Sequence, residues 1–269
     1  MTSITSLPDR GVIAVTGDDR VGFLQGLVSN DVTAARPGQA VWAALLTPQG
    51  KWLADFFIFD DSTRLLLDCE RQQIPDLIQR LSRYRLRMKV TLQPEPDLTV
   101  QVAWNGKPEV NGILAPDPRL PDFAWRHLTA VPLPQTATPQ DWDHHRLFAG
   151  IPDGSRDMET DRSVLLEAGF DELSGVSWSK GCYMGQELTA RTKYRGLLKR
   201  RLIPVSIDGP VPAPGTPVLR DGHEVGTMRS AQDQIGLANV RLEAINSPLQ
   251  CGDSKLTPRK PDWMKLPIT

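Results

Sequence analysis

The chain has 269 residues, enough for about two domains at roughly 150 residues each. Its 31 Lys and Arg against 32 Asp and Glu leave a formal net charge of −1, which excludes a globally basic nucleic-acid coat and an acidic disordered tail. Gly and Pro, 21 and 23 residues, stay below a low-complexity share, and the longest apolar run, residues 40–46, is far short of the ~20 residues a membrane span needs.

In chain order, residues 11–16 read as a strand, and Asp18 or Asp19 starts a helix carrying Val21, Leu24, Leu27 and Val28. Residues 40–47 and 52–60 are strands joined by the Pro48-Gln49-Gly50-Lys51 turn, a hairpin, and residues 64–69 are a fourth strand. Ile74, Leu77, Ile78, Leu81 and Tyr84 set a helix over residues 72–84. Arg85, Arg87 and Lys89 then alternate with Leu86, Met88 and Val90, the period of a strand with one cationic face. Residues 98–104 are another strand, and residues 105–140 carry little periodicity. Thr138-Pro139-Gln140-Asp141 caps a helix running through Trp142, His145, Arg146 and Phe148.

After residue 200 the pattern changes to short strands, 202–207, 216–219, 223–230 and 234–240, separated by Pro/Gly turns. That spacing predicts a small β-barrel or sandwich. The fold class is therefore α+β, with an α+β region over residues 1–196 and a barrel over 197–269. The N-terminus has no basic start and no apolar signal core, so a cytoplasmic location is expected.

Cys69, Cys182 and Cys251 are too few and too dispersed for a disulfide framework or a self-contained zinc site. Cys69 closes an apolar strand and reads as a buried small hydrophobe, and Cys251 falls in a polar, turn-rich stretch and reads as incidental. His127, His144, His145 and His223 show no metal-ligand spacing, and the chain has no Gly-rich nucleotide cradle. Residues 178–201 differ from the rest, with seven cations against the single anion Glu187. Gly181 and Gly185 bracket Cys182 in a turn just before a helix over residues 186–193, where main-chain N–H groups, Lys180 and the arginines favour a thiolate. The same spacing also fits a buried cysteine in a tight turn over a solvated basic helix. In the basic stretch 191–201 only Tyr194 interleaves the cations as a stacking aromatic, so a nucleic-acid partner is not expected.

The run Lys180-Gly181-Cys182-Tyr183-Met184-Gly185-Gln186-Glu187, followed by Arg191 and Arg195-Gly196, resembles the signature of the YgfZ family, folate-binding-protein-like relatives of the glycine-cleavage aminomethyltransferase. Phe23-Leu24-Gln25-Gly26-Leu27-Val28-Ser29-Asn30-Asp31-Val32 resembles that family's first motif, and Gln49-Gly50-Lys51 its hairpin turn. Tyr84-Arg85-Leu86-Arg87-Met88-Lys89-Val90 and His145-Arg146-Leu147 with Gly150-Ile151-Pro152 are similar to its mitochondrial and α-proteobacterial branch.

The resemblance implies an aminomethyltransferase-like folate-binding fold of α+β lobes around a central cavity, with a C-terminal barrel. It implies a largely non-catalytic assembly factor for [4Fe–4S] proteins, a bacterial relative of which affects tRNA modification. Cys182 would be the metal ligand, sharing a transient iron–sulfur cluster with an A-type carrier protein on the way to [4Fe–4S] clients. One cysteine cannot complete the four thiolates of an ordinary cluster. Lys180 and Asp55 would be the reactive neighbours. Tyr183, Gly185, Gln186, Glu187, Arg191, Glu167 and Arg87 would hold tetrahydrofolate, Arg87 through its anionic tail. The chain alone would be a monomer without membrane contact.

The alternative is a tetrahydrofolate-dependent aminomethyl transferase. Two departures count against it: Ala54-Asp55 stands where those transferases carry two aspartates, and Phe148 stands where they carry a folate-anchoring Glu.

Overall fold

Trp42, Ala43, Ala44 and Leu46 are fully buried, as are Phe56, Ile58, Leu66 and Leu67, so the central strands of the first half have apolar neighbours on both faces. The computed structural model describes residues 1–266. They fall into two compact units that interleave along the chain: Met1–Pro48, Leu53–Pro139 and Leu173–Gln186 form the first; Gln49–Trp52, Gln140–Glu172 and Glu187–Thr269 form the second. The boundary expected near residue 196 falls just before the first barrel strand, whereas this division places residues 140–172 with the barrel.

The first unit holds β1 (Ser3–Ser6), β2 (Arg10–Thr16), α1 (Arg20–Gln25), β3 (Val41–Leu46), β4 (Trp52–Asp60), β5 (Leu65–Glu70), α2 (Ile74–Ser82), β6 (Thr91–Pro94), β7 (Thr99–Trp104), β8 (Ile113–Pro116) and β9 (Trp125–Thr129). A five-stranded sheet runs β3-β4-β5-β2-β6 and a four-stranded sheet β1-β7-β9-β8. The expected hairpin of β3 and β4 is present. α2 turns Ile74, Leu77 and Leu81 onto the core of the larger sheet, with Pro75 in its first turn.

Three expectations need correction here. The predicted helix after Asp19 stops at Gln25. Leu27 and Val28 lie beyond it, still in the core, because Val28 bridges to Leu45 in strand geometry. Residues 85–90 form a loop rather than a cationic strand. Only Val90 is buried, Met88 packs partly on the core, and Leu86 stands out at 88% exposure with φ +45°. Lys89 N–H donates to the Asp19 carboxylate at 2.7 Å, which fixes this bend. The stretch read as irregular, 105–140, contains β8 and β9, whose short sequences of four and five residues hide their pairing.

The second unit holds α3 (Pro139–Ala149), the single turn α4 (Gly154–Asp157), α5 (Gln186–Tyr194) and the strands β10 (Arg200–Asp208), β11 (Pro217–Arg220), β12 (His223–Gln232), β13 (Ile235–Arg241), β14 (Leu249–Cys251) and β15 (Ser254–Pro258). These strands close into a barrel in the order β10-β13-β12-β11-β14-β15, with β15 pairing back to β10. Its interior includes Val205, Val218, Met228, Val240 and Leu256. Cys251 is 1% exposed inside that core. The polar stretch that made it look incidental is the β14–β15 hairpin, whose alternate residues face inward.

Candidate functional site

Two sequence motifs about 150 residues apart meet in the first unit. The segment 174–184 docks along residues 26–30. Asn30 Nδ2 donates to Ser174 O, Ser29 Oγ to Gly175 O, Ser177 N to Ser29 O and Met184 N to Gly26 O, all within 2.7–3.2 Å. Lys180 adds the strongest tie. Its ammonium donates to Val28 O at 2.6 Å and Asn30 O at 2.7 Å, and lies 5.3 Å from the Tyr183 ring centroid. Burial pushes the Lys180 amine down to about 8, against the pull of Asp31. The reactive-neighbour expectation for Lys180 therefore meets a different geometry: its donors go to main-chain carbonyls, which makes it a positioning residue for the loop.

Within that loop Cys182 is exposed, between Gly181 at φ +94° and Gly185 at φ +79°. Side chains with a Cβ rarely adopt this left-handed backbone, so the two glycines present the thiol outward. Tyr183 is buried beneath, and Met184 packs on the core of the five-stranded sheet. Gln186 closes the turn, its Oε1 accepting from Tyr183 N at 3.3 Å. The turn is thus anchored on both sides of an exposed sulfur. The other two cysteines are different in kind: burial pushes the Cys69 thiol up to about 12 and also raises Cys251.

Asp55 lies in β4, 4% exposed, and accepts from Trp42 Nε1 at 2.8 Å. Its Oδ1 is buried without a partner. Burial raises its carboxyl to about 6, opposed by Arg10, the Trp42 hydrogen bond and Arg119. It borders a buried ionic cluster that joins the two sheets. Asp68 accepts from Arg10 Nε at 2.6 Å and Arg126 Nη1 at 2.7 Å; Asp117 accepts from Arg119 and Arg126. The three guanidinium carbons lie 3.5–5.5 Å from the Phe57 ring centroid. Burial works against ionised Asp117, yet Arg119 and Arg126 hold it well below the usual carboxylate range.

The remaining predicted site residues fall in separate places. Glu187 and Arg191 are exposed on α5, one turn apart at 3.9 Å. Arg87 is exposed on the 85–90 loop, among Arg85 and Lys89. Glu167 is half-buried in a 3₁₀ turn of the second unit, where burial raises its carboxyl against the pull of Lys51 and Arg200. Lys51 comes from the Gln49-Gly50-Lys51 turn. Next to it, Trp52 N donates to Ser163 O and Trp52 O accepts from Asp161 N. Phe148 is 57% exposed, with the Arg259 guanidinium 4.5 Å from its ring centroid, and offers no acceptor to a pterin. Among the described residues no three His, Cys, Asp or Glu side chains converge on one point, and no helix is long and apolar enough to cross a membrane.

Residues 199–266 match the family model described as CAF17, C-terminal beta-barrel domain. The whole chain superposes on the glycine cleavage system aminomethyltransferase T from Bartonella henselae with a TM-score of 0.74 at 12% identity, covering 98% of this chain and 86% of that one. This establishes the aminomethyltransferase-like fold. The mitochondrial iron–sulfur cluster assembly factor IBA57 of Mus musculus is 34% identical over 96% of this chain and 84% of its own length. The Homo sapiens protein of that name gives the same identity and coverage. The homologue from Mycosarcoma maydis is 34% identical over 91% of this chain and 66% of its own length. These relatives are described as mitochondrial, which overturns the cytoplasmic location expected from the N-terminus. At this identity and coverage the chain belongs to the family of the iron–sulfur cluster assembly factor IBA57.

Proposed function

We propose that this protein acts in iron–sulfur cluster assembly, as the name of its relatives describes, with Cys182 supplying one thiolate to a cluster held jointly with a partner. The observation that carries this reading is the presentation of Cys182: an exposed thiol on a turn fixed by Lys180 and Met184, in a chain whose other two thiols are buried. A single thiolate leaves the remaining coordination sites to other donors. An A-type carrier protein with its own cysteines fits that arithmetic, and [4Fe–4S] proteins are the proposed recipients. The iron–sulfur cluster is cargo in this reading, and the protein contributes position and one ligand.

Tetrahydrofolate is a proposed accessory ligand, in keeping with the aminomethyltransferase-like fold. Asp55 without a second carboxylate at Ala54, and Phe148 in place of an acceptor, argue against aminomethyl transfer. We also place the chain in the wider YgfZ family on its Lys180 to Glu187 motif.

The test is anaerobic reconstitution with an A-type carrier, read by cluster absorbance on size exclusion. A coloured heteromeric complex that forms with the wild type and not with Cys182→Ser supports the reading. A complex formed equally by both variants refutes it.

A further inference from the structure

Residues 83–89 lie between α2 and β6, and all of them except Met88 are exposed. Leu86 is 88% exposed and adopts φ +45°. That left-handed backbone is costly for a residue with a Cβ, above all a bulky one. Among the described residues, the seven other non-glycine positions with positive φ are Asp, Asn or Ser, whose short polar side chains can hydrogen-bond locally. Leu86 has no such compensation and buries nothing in return. The loop is nonetheless held in place. Asp19 Oδ2 accepts from Lys89 N at 2.7 Å, Asp19 N donates to Lys89 O at 3.3 Å, and Arg85 Nη1 donates to Val90 O at 3.2 Å. A Cβ on Gly17 would lie 2.0 Å from Lys89 O, so only glycine lets the two segments come this close. An apolar side chain kept strained and exposed by its surroundings points to a function outside the fold.

The neighbours of Leu86 say what kind. Arg83, Arg85 and Arg87 form no ion pair with the described residues, and Lys89 reaches Asp18 at 3.8 Å between two largely exposed side chains. Asp19, the other carboxylate here, is taken up by the Lys89 N–H. A protein partner is held by an apolar patch built from many side chains. Here one leucine, with the half-exposed Tyr84 nearby in sequence, is set among cations, the pattern of an interfacial lipid contact.

We propose that residues 83–89 are a contact site for anionic lipid surfaces. Leu86 enters the boundary between headgroups and acyl chains. Arg83, Arg85, Arg87 and Lys89 meet lipid phosphates while their apolar stems lie along the interface. One leucine and four cations give reversible attachment, not anchoring. The expectation of no membrane contact came with the family resemblance; the geometry of this loop argues the other way.

The test is flotation of the full chain with vesicles of phosphatidylcholine alone, or with about one-third phosphatidylglycerol added, at low and high salt. Wild type should partition at least about tenfold better onto the anionic vesicles, and less so as salt rises. Removing one cation by Arg87→Gln should cost roughly fivefold. Leu86→Asn should cost about tenfold or more. Its thermal melt should match or exceed that of wild type, because Asn tolerates positive φ. Lys255→Gln, an exposed cation on β15 of the barrel, should bind as wild type does. Absence of anionic-vesicle binding, the result expected if an acidic protein covers this loop instead, would overturn the proposal. So would full binding by Leu86→Asn, or an equal loss in Lys255→Gln.

Discussion

The Lys180 ammonium donates to the Asn30 carbonyl at 2.7 Å across 150 residues of chain, and to Val28 O at 2.6 Å. This pair ties the cysteine-bearing loop to the segment after α1. The loop contributes an exposed sulfur, the 26–30 segment contributes a rigid edge, and the two hydrogen bonds donated by the Lys180 nitrogen join them.

Lys180→Met should therefore loosen the loop and leave two carbonyls short of donors, costing roughly 1–3 kcal/mol. The sign of the pH effect follows from burial, which lowers the folded amine from 10.5 to about 8. The folded state penalises the protonated form, so the penalty is present below about pH 8 and is relieved as the pH rises toward 10.5. Urea melts across that range should show wild-type stability gaining on Lys180→Met. A constant difference between the two would contradict the assignment.

Cys182→Ser should melt within about 0.5 kcal/mol of wild type, because the side chain is exposed. Cys69→Ser and Cys251→Ser should each lose on the order of 1–3 kcal/mol, since each buries a hydroxyl in an apolar core. Thermal melts rank the three, and cluster absorbance with the carrier should rank them in reverse. Loss of the coloured complex in Cys251→Ser alone would move the site.

For Asp55 the sign is opposite to that of a salt-bridged carboxylate. Its folded value is raised to about 6 from 3.8, so folding favours the protonated form. That contribution is complete below about pH 3.8 and is lost as the pH rises through 6. Asp55→Asn keeps an acceptor for Trp42 and carries no charge to bury. It should gain on wild type above pH 6 by on the order of 3 kcal/mol, since each tenfold change in proton affinity is worth about 1.4 kcal/mol. Paired melts at acidic and neutral pH measure it.

Asp68→Ala should be among the most damaging substitutions in the first unit. Two buried guanidiniums, Arg10 and Arg126, would lose a shared carboxylate, at a cost of about 3–5 kcal/mol. Chemical denaturation gives the value, and a loss below about 1 kcal/mol would mean the cluster is redundant.

Tetrahydrofolate affinity, if it rests on the exposed Arg191, should fall as salt rises, because that side chain is solvated. Calorimetry at low and high salt reads the trend. Tight binding insensitive to salt would point to an acceptor-rich site that Ala54 and Phe148 do not provide.

Local pattern carried much of this fold. The apolar strands β2, β3, β4 and β5, helices α2 and α3, and the first four barrel strands were legible because each repeats its signal over several residues. The glycine-bracketed turn at Cys182 was legible for the same reason: Gly181 and Gly185 mark positive φ wherever the turn sits. What failed was short or weakly patterned. The cationic alternation at 85–90 looks like a strand, but Leu86 stands outside the core and Asp19 holds the bend from 70 residues away. β8, β9 and β14 are three to five residues long, and their identity as strands comes from their partners.

The sequence by itself determined the fold class, the position of the basic cysteine motif and its resemblance to a family. Tertiary structure alone decided that Lys180 directs its charge to Val28 and Asn30, that Asp55 is buried beside an ionic cluster, that Cys251 belongs to a barrel core, and that Leu86 stands outside the core. The reason is physical: helix, strand and turn preferences are properties of neighbouring residues. Desolvation and hydrogen-bond partnership depend on groups that the chain brings together from far apart.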